Sequence, residues 1–282
     1  MSTPATVASA LRSGTRALPG ENPRMEAELL LAHSLRVPRS WLYAHPEKPL
    51  SGAQGRHYRR RLQQRAAGRP LPYLLGHWEF FGLDFSVDAR ALIPRPETEL
   101  LVETAIAIAQ RRAAGRPFTI ADVGVGCGTI AVTLALRLPH TCITASDISL
   151  PALRLTRENV CRHGASARIH CVQADLLAGL DRFNLICANL PYIAGAELNT
   201  LAVAQHEPRL ALDGGHDGLR IIDRLLSSAW RHLRPGGSLL LEIGEAQGAA
   251  ALQLARARLP QAHRCVLPDL AGRARLLRIN CA

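Results

Sequence analysis

Phe118-Thr119-Ile120-Ala121-Asp122-Val123-Gly124-Val125-Gly126-Cys127-Gly128-Thr129 is the stretch whose reading decides the fold. An apolar run closed by alternating glycines reads as a buried strand, and a helix-forming stretch over 130–138 follows without a gap. Glycines at such a turn let the backbone approach a ligand and lead tightly into a helix N-terminus. The same alternation continues downstream. Short apolar runs at 142–147, Ile169–Gln173, Phe183–Ala188 and 238–243 are separated by helical stretches. This predicts an α/β fold, a parallel sheet wound with helices on both faces. The last two runs, 262–267 and 274–279, lie too close together for a crossover helix, so they are predicted to pair antiparallel.

The chain before this region differs in character. Residues 1–75 carry helical periodicity and little strand signal, with helices predicted over 6–18, 25–35 and 54–67. Arg56, Arg59, Arg60, Arg61 and Arg65 cover much of the third and read as a solvated face, with an acidic partner or RNA as the alternative. The aromatic run 78–87 turns at Gly82 and predicts a hairpin; Pro94-Arg95-Pro96-Glu97-Thr98-Glu99 then starts a helix over 100–112. The division expected is a helical substrate-recognition domain over 1–75, a hairpin linker over 76–95 and a catalytic α/β domain over 96–282. Residues 1–20, basic and without an acid, also resemble a mitochondrial transit peptide; a first helix explains them equally well and is the reading adopted.

Composition sets outer limits. With 48% hydrophobic and 20% charged residues the chain is globular, and no apolar run reaches the roughly 18 residues of a membrane span. The net charge of +11 favours acidic partners, yet Lys48 is the only lysine and the excess is arginine in an Ala/Leu/Gly-rich chain, a compositional bias as much as a binding surface. Seven cysteines, an odd number without a C-x-x-C pair, argue for reduced thiols and a cytoplasmic location. The histidines show no ligand spacing, and no metal is expected.

Chemistry concentrates at the carboxyl ends of the strands, where open α/β sheets bind ligands. Asp147 ends the second strand and is placed for ribose hydroxyls; Asp175 and Leu176 follow the third. Gly126-x-Gly128-x-x-Ala131 also satisfies a relaxed dinucleotide fingerprint, which keeps a nicotinamide oxidoreductase open. Asn189-Leu190-Pro191-Tyr192 follows the fourth strand. An amide that accepts from an amino group, next to an aromatic face, suits a planar –NH2 nucleophile such as a carboxamide or a base amine.

The glycine loop, with an acid just before it, resembles the first motif of class I S-adenosylmethionine methyltransferases, and the antiparallel last strand resembles their seven-stranded sheet. Asn189-Leu190-Pro191-Tyr192 resembles the Asn-Pro-Pro-Tyr motif of those that act on planar amino groups. Within that group the chain is similar to the release-factor glutamine methyltransferases of the HemK/PrmC type. The likeness extends through 26–33, 41–46, 79–85, 92–99, 207–212, 214–219 and 234–237. It implies transfer of a methyl group from S-adenosylmethionine to the side-chain amide of the Gly-Gly-Gln glutamine of peptide-chain release factors. It also implies a helical domain that grips the release factor, and neither a membrane nor a nucleic-acid substrate.

By the same resemblance, Gly124, Val125, Gly126, Cys127, Gly128, Asp147, Asp175, Leu176 and Asn189 map onto cofactor-contacting positions. Asn189, Leu190, Pro191 and Tyr192 map onto the glutamine site, with the Asn189 side chain and the Leu190 carbonyl accepting the amide hydrogens and Tyr192 packed on the amide plane. Leu190 stands in place of the usual first proline, Leu176 in place of the usual tryptophan, and Val125 and Cys127 in place of the common hydroxyl residues. The alternatives are an N6-adenine methyltransferase acting on nucleic acid and a non-catalytic release-factor-binding module.

Overall fold

The structure, a computed structural model, describes residues 5–113 and 117–281. Part of the transit-peptide reading falls on 1–4, which lie outside the described residues. The chain forms two compact units, Met1–His77 and Trp78–Ala282.

The first unit is helical: α1 (Val7–Ala17), α2 (Pro23–Leu35), α3 (Arg39–Ala44), α4 (Gly52–Ala66) and α5 (Leu71–Leu75). Helix α1 starts at a reciprocal cap, in which the Thr6 hydroxyl accepts from Ser9 N–H and the Ser9 hydroxyl accepts from Thr6 N–H. Ser51 and Gln54 start α4 in the same way. Helix α2 ends where Arg36 turns left-handed, and α5 where Gly76 does. Val7, Leu30, Leu31, Tyr58 and Leu62 are buried in this unit, and the Tyr58 hydroxyl donates to the Ala27 carbonyl at 3.3 Å. Helices α3 and α5 were not foreseen, because one or two turns are too few to establish a period. Arg56, Arg59 and Arg60 are exposed, as the solvated reading expects, whereas Arg65 forks onto Glu26 at 2.7 and 2.9 Å.

A hairpin, β1 (His77–Phe80) and β2 (Leu83–Ser86), begins at the last residue of the first unit and otherwise belongs to the second. Phe81 (φ 54°) and Gly82 (φ 74°) at its tip are both left-handed, as a two-residue hairpin turn of matching twist requires. A 3-10 turn, Pro96–Thr98, leads into α6 (Glu99–Ala113). There follow β3 (Phe118–Val123), α7 (Thr129–Arg137), β4 (Thr141–Asp147), α8 (Leu150–Arg162), β5 (Ile169–Gln173) and β6 (Phe183–Ala188). The short α9 (Gly195–Leu198), α10 (Arg220–His232), β7 (Leu233–Glu242), α11 (Gly248–Arg258), β8 (His263–Pro268) and β9 (Ala274–Asn280) complete it.

Among the described residues seven strands form one sheet, in the order β5-β4-β3-β6-β7-β9-β8. The pairs from β5 to β7 are parallel, and β9 runs antiparallel to both neighbours, as the short last connection predicts. Strand β7 begins five residues earlier than expected, at Leu233 rather than 238. The Pro235-Gly236-Gly237 segment conceals this in the sequence, and the register with β6 shifts there. Buried Ala121, Val123, Ile186, Leu239 and Leu241 pack with Ile222, Leu225 and Leu226 of α10 and Ala251 and Ala255 of α11 on one face of the sheet. Helices α6, α7 and α8 also pack on the strands and contribute nothing to that cluster, so they cover the other face.

The winding positions the site. The chain lays β4 and β5 outward on one side of β3, then returns to place β6 on the other. That reversal between β3 and β6 is the switch point at which a doubly wound sheet opens a crevice beyond its carboxyl ends. Val123 is in register with Ala188, so the glycine loop and the Asn189 loop leave the sheet side by side.

Candidate active site

The glycine loop is shaped by backbone contacts from below. Gly124 and Val125 donate their N–H groups to the Ser146 carbonyl of β4 at 2.8 and 3.0 Å. Gly124, Gly126 and Gly128 all have positive φ. A Cβ on Gly124 would meet Leu190 Cδ2 at 2.9 Å, whereas one on Gly126 would meet nothing within 4 Å. The first glycine therefore allows the two loops to touch, and the second leaves open space above the backbone. Buried Asn159 of α8 holds the loop from behind: Nδ2 donates to the Cys127 carbonyl at 2.8 Å and to the Ser86 carbonyl at 2.9 Å, while Oδ1 accepts from Ser86 N–H. One side chain thus ties the loop to the hairpin.

Two carboxylates frame this turn. Asp122, fully buried at the end of β3, accepts from Ala131 N–H of α7 at 2.9 Å through Oδ2, and its Oδ1 has no hydrogen-bond partner among the described residues. Burial, with Asp147 nearby, pushes its carboxyl up to about 7 despite that hydrogen bond. Asp147 accepts from Gly126 N–H at 3.0 Å and Ser149 N–H at 2.8 Å; burial raises its pKa, and these backbone donors oppose the rise. The Cys127 thiol is buried and pushed up to about 12, chiefly by desolvation, which makes it an inert wall rather than a nucleophile.

Strand β6 delivers the second loop. Its carbonyl and amide groups join those of 212–215: Ile193 donates to Leu212, Gly214 to Ile193 and Gly195 to Gly215. A Cβ on Gly218 would strike the Tyr192 carbonyl, so the glycines of 214–218 are needed for these segments to lie together. Gln247 Nε2 donates to the Tyr192 carbonyl at 2.9 Å. At the front of the loop, Asn189 Nδ2 donates to Thr98 Oγ1 at 3.0 Å, and Thr98 Oγ1 donates to Glu242 Oε2 at 2.7 Å. Glu242 is buried, which pushes its carboxyl up to about 7; the Thr98 hydroxyl and the Arg275 charge work against that rise.

A cavity of about 500 Å³, of the size of a cofactor site, collects most of the expected residues. Gly124, Val125, Gly126, Cys127, Asp147, Asp175, Leu176, Asn189, Leu190 and Pro191 line it. Asp175 is partly exposed there and paired with Arg224 Nη2 at 2.7 Å, and Leu176 adopts φ 55°, uncommon for a branched residue.

Two expected residues are not on the cavity wall. Gly128 caps α7 in a left-handed conformation, with Thr156 Cγ2 where its side chain would be, so it serves the turn rather than the cavity. Tyr192 is not among the residues that line the cavity. It lies toward Glu242, its hydroxyl 3.4 Å from Oε1, and burial pushes that hydroxyl up to about 12.

Sequence reading passed over Thr98, Glu242, Asn159 and Glu207. The last accepts from Ile93 N–H and from the Arg95 guanidinium, fixing the 92–95 segment that lines the cavity. The only local signal for Glu242 was a single acid closing the apolar run Leu239-Leu240-Leu241.

Comparison with known proteins bears on both units. Residues 9–76 match the family described as "PrmC N-terminal domain", and residues 97–207 match "Methyltransferase small domain". In solved structures, a methyltransferase from Pyrococcus furiosus aligns with a TM-score of 0.51 at 17% identity, covering 71% of this chain and 90% of that one. The hMettl16 catalytic domain aligns at 0.55 and 19%, covering 76% and 81%. At such identities these two show the fold alone. Closer relatives carry more. A protein named release factor glutamine methyltransferase from Moorella thermoacetica is 46% identical over 258 residues, 90% of each chain. Proteins of the same name from Rhodopirellula baltica (39%, 93% of this chain and 90% of that one) and Bordetella pertussis (41%, 90% and 93%) agree with it. With a glycine loop and an Asn-Leu-Pro-Tyr loop meeting across the switch point, and identity of this order along nearly its whole length, the chain belongs to the release factor glutamine methyltransferase family.

Proposed function

We infer that this protein transfers the methyl group of S-adenosylmethionine to the side-chain amide nitrogen of the glutamine in the Gly-Gly-Gln motif of peptide-chain release factors. The observation that carries the reading is the junction of the two loops in one cavity, with Leu190 seated on Gly124. Residues of the cavity suit the cofactor: Gly126 leaves open space above its backbone, and Asp147 presents a carboxylate at the end of β4. Gly124, Val125, Gly126, Cys127, Asp147, Asp175, Leu176 and Asn189 would hold it, with Gly128 shaping the turn beneath. When bound, the cofactor supplies an electrophilic methyl group carried on a sulfonium.

The chain's own part is to present the nitrogen. An amide nitrogen is a weak nucleophile because its lone pair is delocalised into the carbonyl. Asn189 Oδ1 and the Leu190 carbonyl would accept its two N–H bonds, fixing its orientation and favouring the positive charge that grows on it. Positioning of this kind supplies several kcal/mol of a barrier, about 7–11 at the limit. The surplus proton leaves to water after transfer. Pro191 walls the same side of the cavity, and Tyr192 anchors the loop through Glu242.

Residues 1–75 are assigned to recognition of the release factor, 76–95 to the linker and 96–282 to catalysis. Among the described residues no helix is long and apolar enough to cross a membrane. The cysteines are free thiols, which supports a reducing, cytoplasmic setting.

The test is incubation with methyl-labelled S-adenosylmethionine and a purified release factor, beside a Gly-Gly-Ala variant and duplex DNA. Label in the release factor and none in its variant is expected. Label in DNA instead would assign the enzyme to the adenine class.

A further inference from the structure

We propose that Thr98 and Glu242 are positioning residues that hold the Asn189 side chain with its carbonyl oxygen, and not its amino group, turned to the substrate amide. This rests on the glutamine-methylating reading and deepens it.

The polarity of Asn189 follows from the protons available along three side chains. Above its pKa the Glu242 carboxylate only accepts, so the sole hydroxyl proton of Thr98 is then committed to Oε2, 2.7 Å away. Thr98 Oγ1 is left with lone pairs, and the neighbour it faces at 3.0 Å must therefore be the donor end of the Asn189 amide. That fixes Nδ2 toward Thr98. Oδ1, with no hydrogen bond from the described residues, remains for the cavity that Asn189 and Thr98 both line. The polarity matters because the substrate amino group brings two donors. Asn189 turned the other way would set an NH2 against an NH2, leaving the nucleophile without its acceptor.

Glu242 is anchored against drift. Its second oxygen faces the Tyr192 hydroxyl at 3.4 Å, and its surroundings are charged on two sides, by Arg275 of β9 and by Glu97 of the turn that carries Thr98. These groups, with Thr98, are what its ionisation answers to. Burial raises its pKa to about 7, so acid reverses the relay: a protonated Glu242 donates to Thr98, and Thr98 becomes free to donate to Asn189 Oδ1. Activity then falls as pH drops through that value. The substrate amide does not titrate in this range, and the Glu242→Gln variant separates Glu242 from Asp122, which burial raises to a similar value.

Thr98→Val, which keeps the shape and removes the hydroxyl, tests the relay together with Thr98→Ser and Glu242→Gln. Single-turnover methyl transfer to the release factor is followed from acid to alkaline pH, with cofactor binding measured by calorimetry. The expected result is a fall of tenfold or more in the transfer rate for Thr98→Val, with the cofactor dissociation constant within about threefold. Thr98→Ser is expected to recover most of the rate, and Glu242→Gln to lose the acid limb near pH 7. Wild-type rates in Thr98→Val, a Thr98→Ser variant as slow as the valine, or an unchanged acid limb in Glu242→Gln would each overturn the proposal while the wild-type enzyme still methylates. A wild-type enzyme inert toward the release factor would instead remove the reading on which it rests.

Discussion

Gly124 shows how narrowly single residues constrain this site. It combines φ 74° with a Leu190 methyl 2.9 Å from where a Cβ would be. Gly124→Ala is predicted to weaken cofactor binding and to cost about 1–3 kcal/mol from strain and overpacking. Adding Leu190→Ala should return part of the loss by removing the clash but not the backbone strain. A double-mutant cycle on cofactor affinity and thermal midpoint measures that coupling, and strict additivity would argue against the contact. Asp122 lends itself to a different measurement. Its carboxyl, raised to about 7 by burial, binds a proton in the native state that the unfolded chain gives up near pH 4. Stability should therefore fall as pH rises through the interval between those values, since the folded state there binds the extra proton. Asp122→Asn should flatten that slope in urea titrations at a series of pH values, and an unchanged slope would place the burden on Asp147 and Glu242, whose carboxyls burial also raises.

At the scale of elements, legibility follows from period and proximity. Strands β3, β5 and β6 were readable to the residue because each is a short apolar run between polar breaks, and α1 because its cap residues Thr6 and Leu18 bracket one periodic stretch. Helices α3 and α5 were not readable, being too short to declare a period. The loops of the site were readable as well, since a glycine run or an Asn-Leu-Pro-Tyr run is local. Their supports were not. Thr98 meets Glu242 across 144 residues of chain, and Asn159 meets Ser86 across 73. No spacing rule announces such pairs. The partner of the Tyr192 hydroxyl was unreadable for the same reason, since it lies on β7, 50 positions away. Packing within the helical unit yields its own prediction. Gly14 of α1 faces the Tyr58 hydroxyl so closely that a Cβ would displace it from the Ala27 carbonyl. Gly14→Ala should destabilise that unit by about 1–3 kcal/mol despite alanine's better helix propensity. Tyr58→Phe in the same background should recover part of the loss, and a more stable Gly14→Ala single variant in a thermal melt would contradict the packing.

For the whole molecule, the order of strands does as much as any side chain. Because β6 returns beside β3, two loops 65 residues apart in sequence leave the sheet as neighbours, one suited to the cofactor and one to the amide. The basic net charge of +11 suits an acidic partner without choosing it; in the proposed reading the Asn189 loop makes the choice of chemistry. The most direct measurement is therefore mass-spectrometric mapping of the release factor after incubation with wild-type enzyme and with Asn189→Ala, alongside each protein's affinity for S-adenosylmethionine. A single methyl on the side-chain nitrogen of the Gly-Gly-Gln glutamine is predicted with the wild type. With Asn189→Ala the rate should fall by about a hundredfold or more, the scale of losing one transition-state hydrogen-bonding partner, while cofactor affinity changes far less. Methylation at another residue, or an Asn189→Ala enzyme as fast as the wild type, would contradict the account.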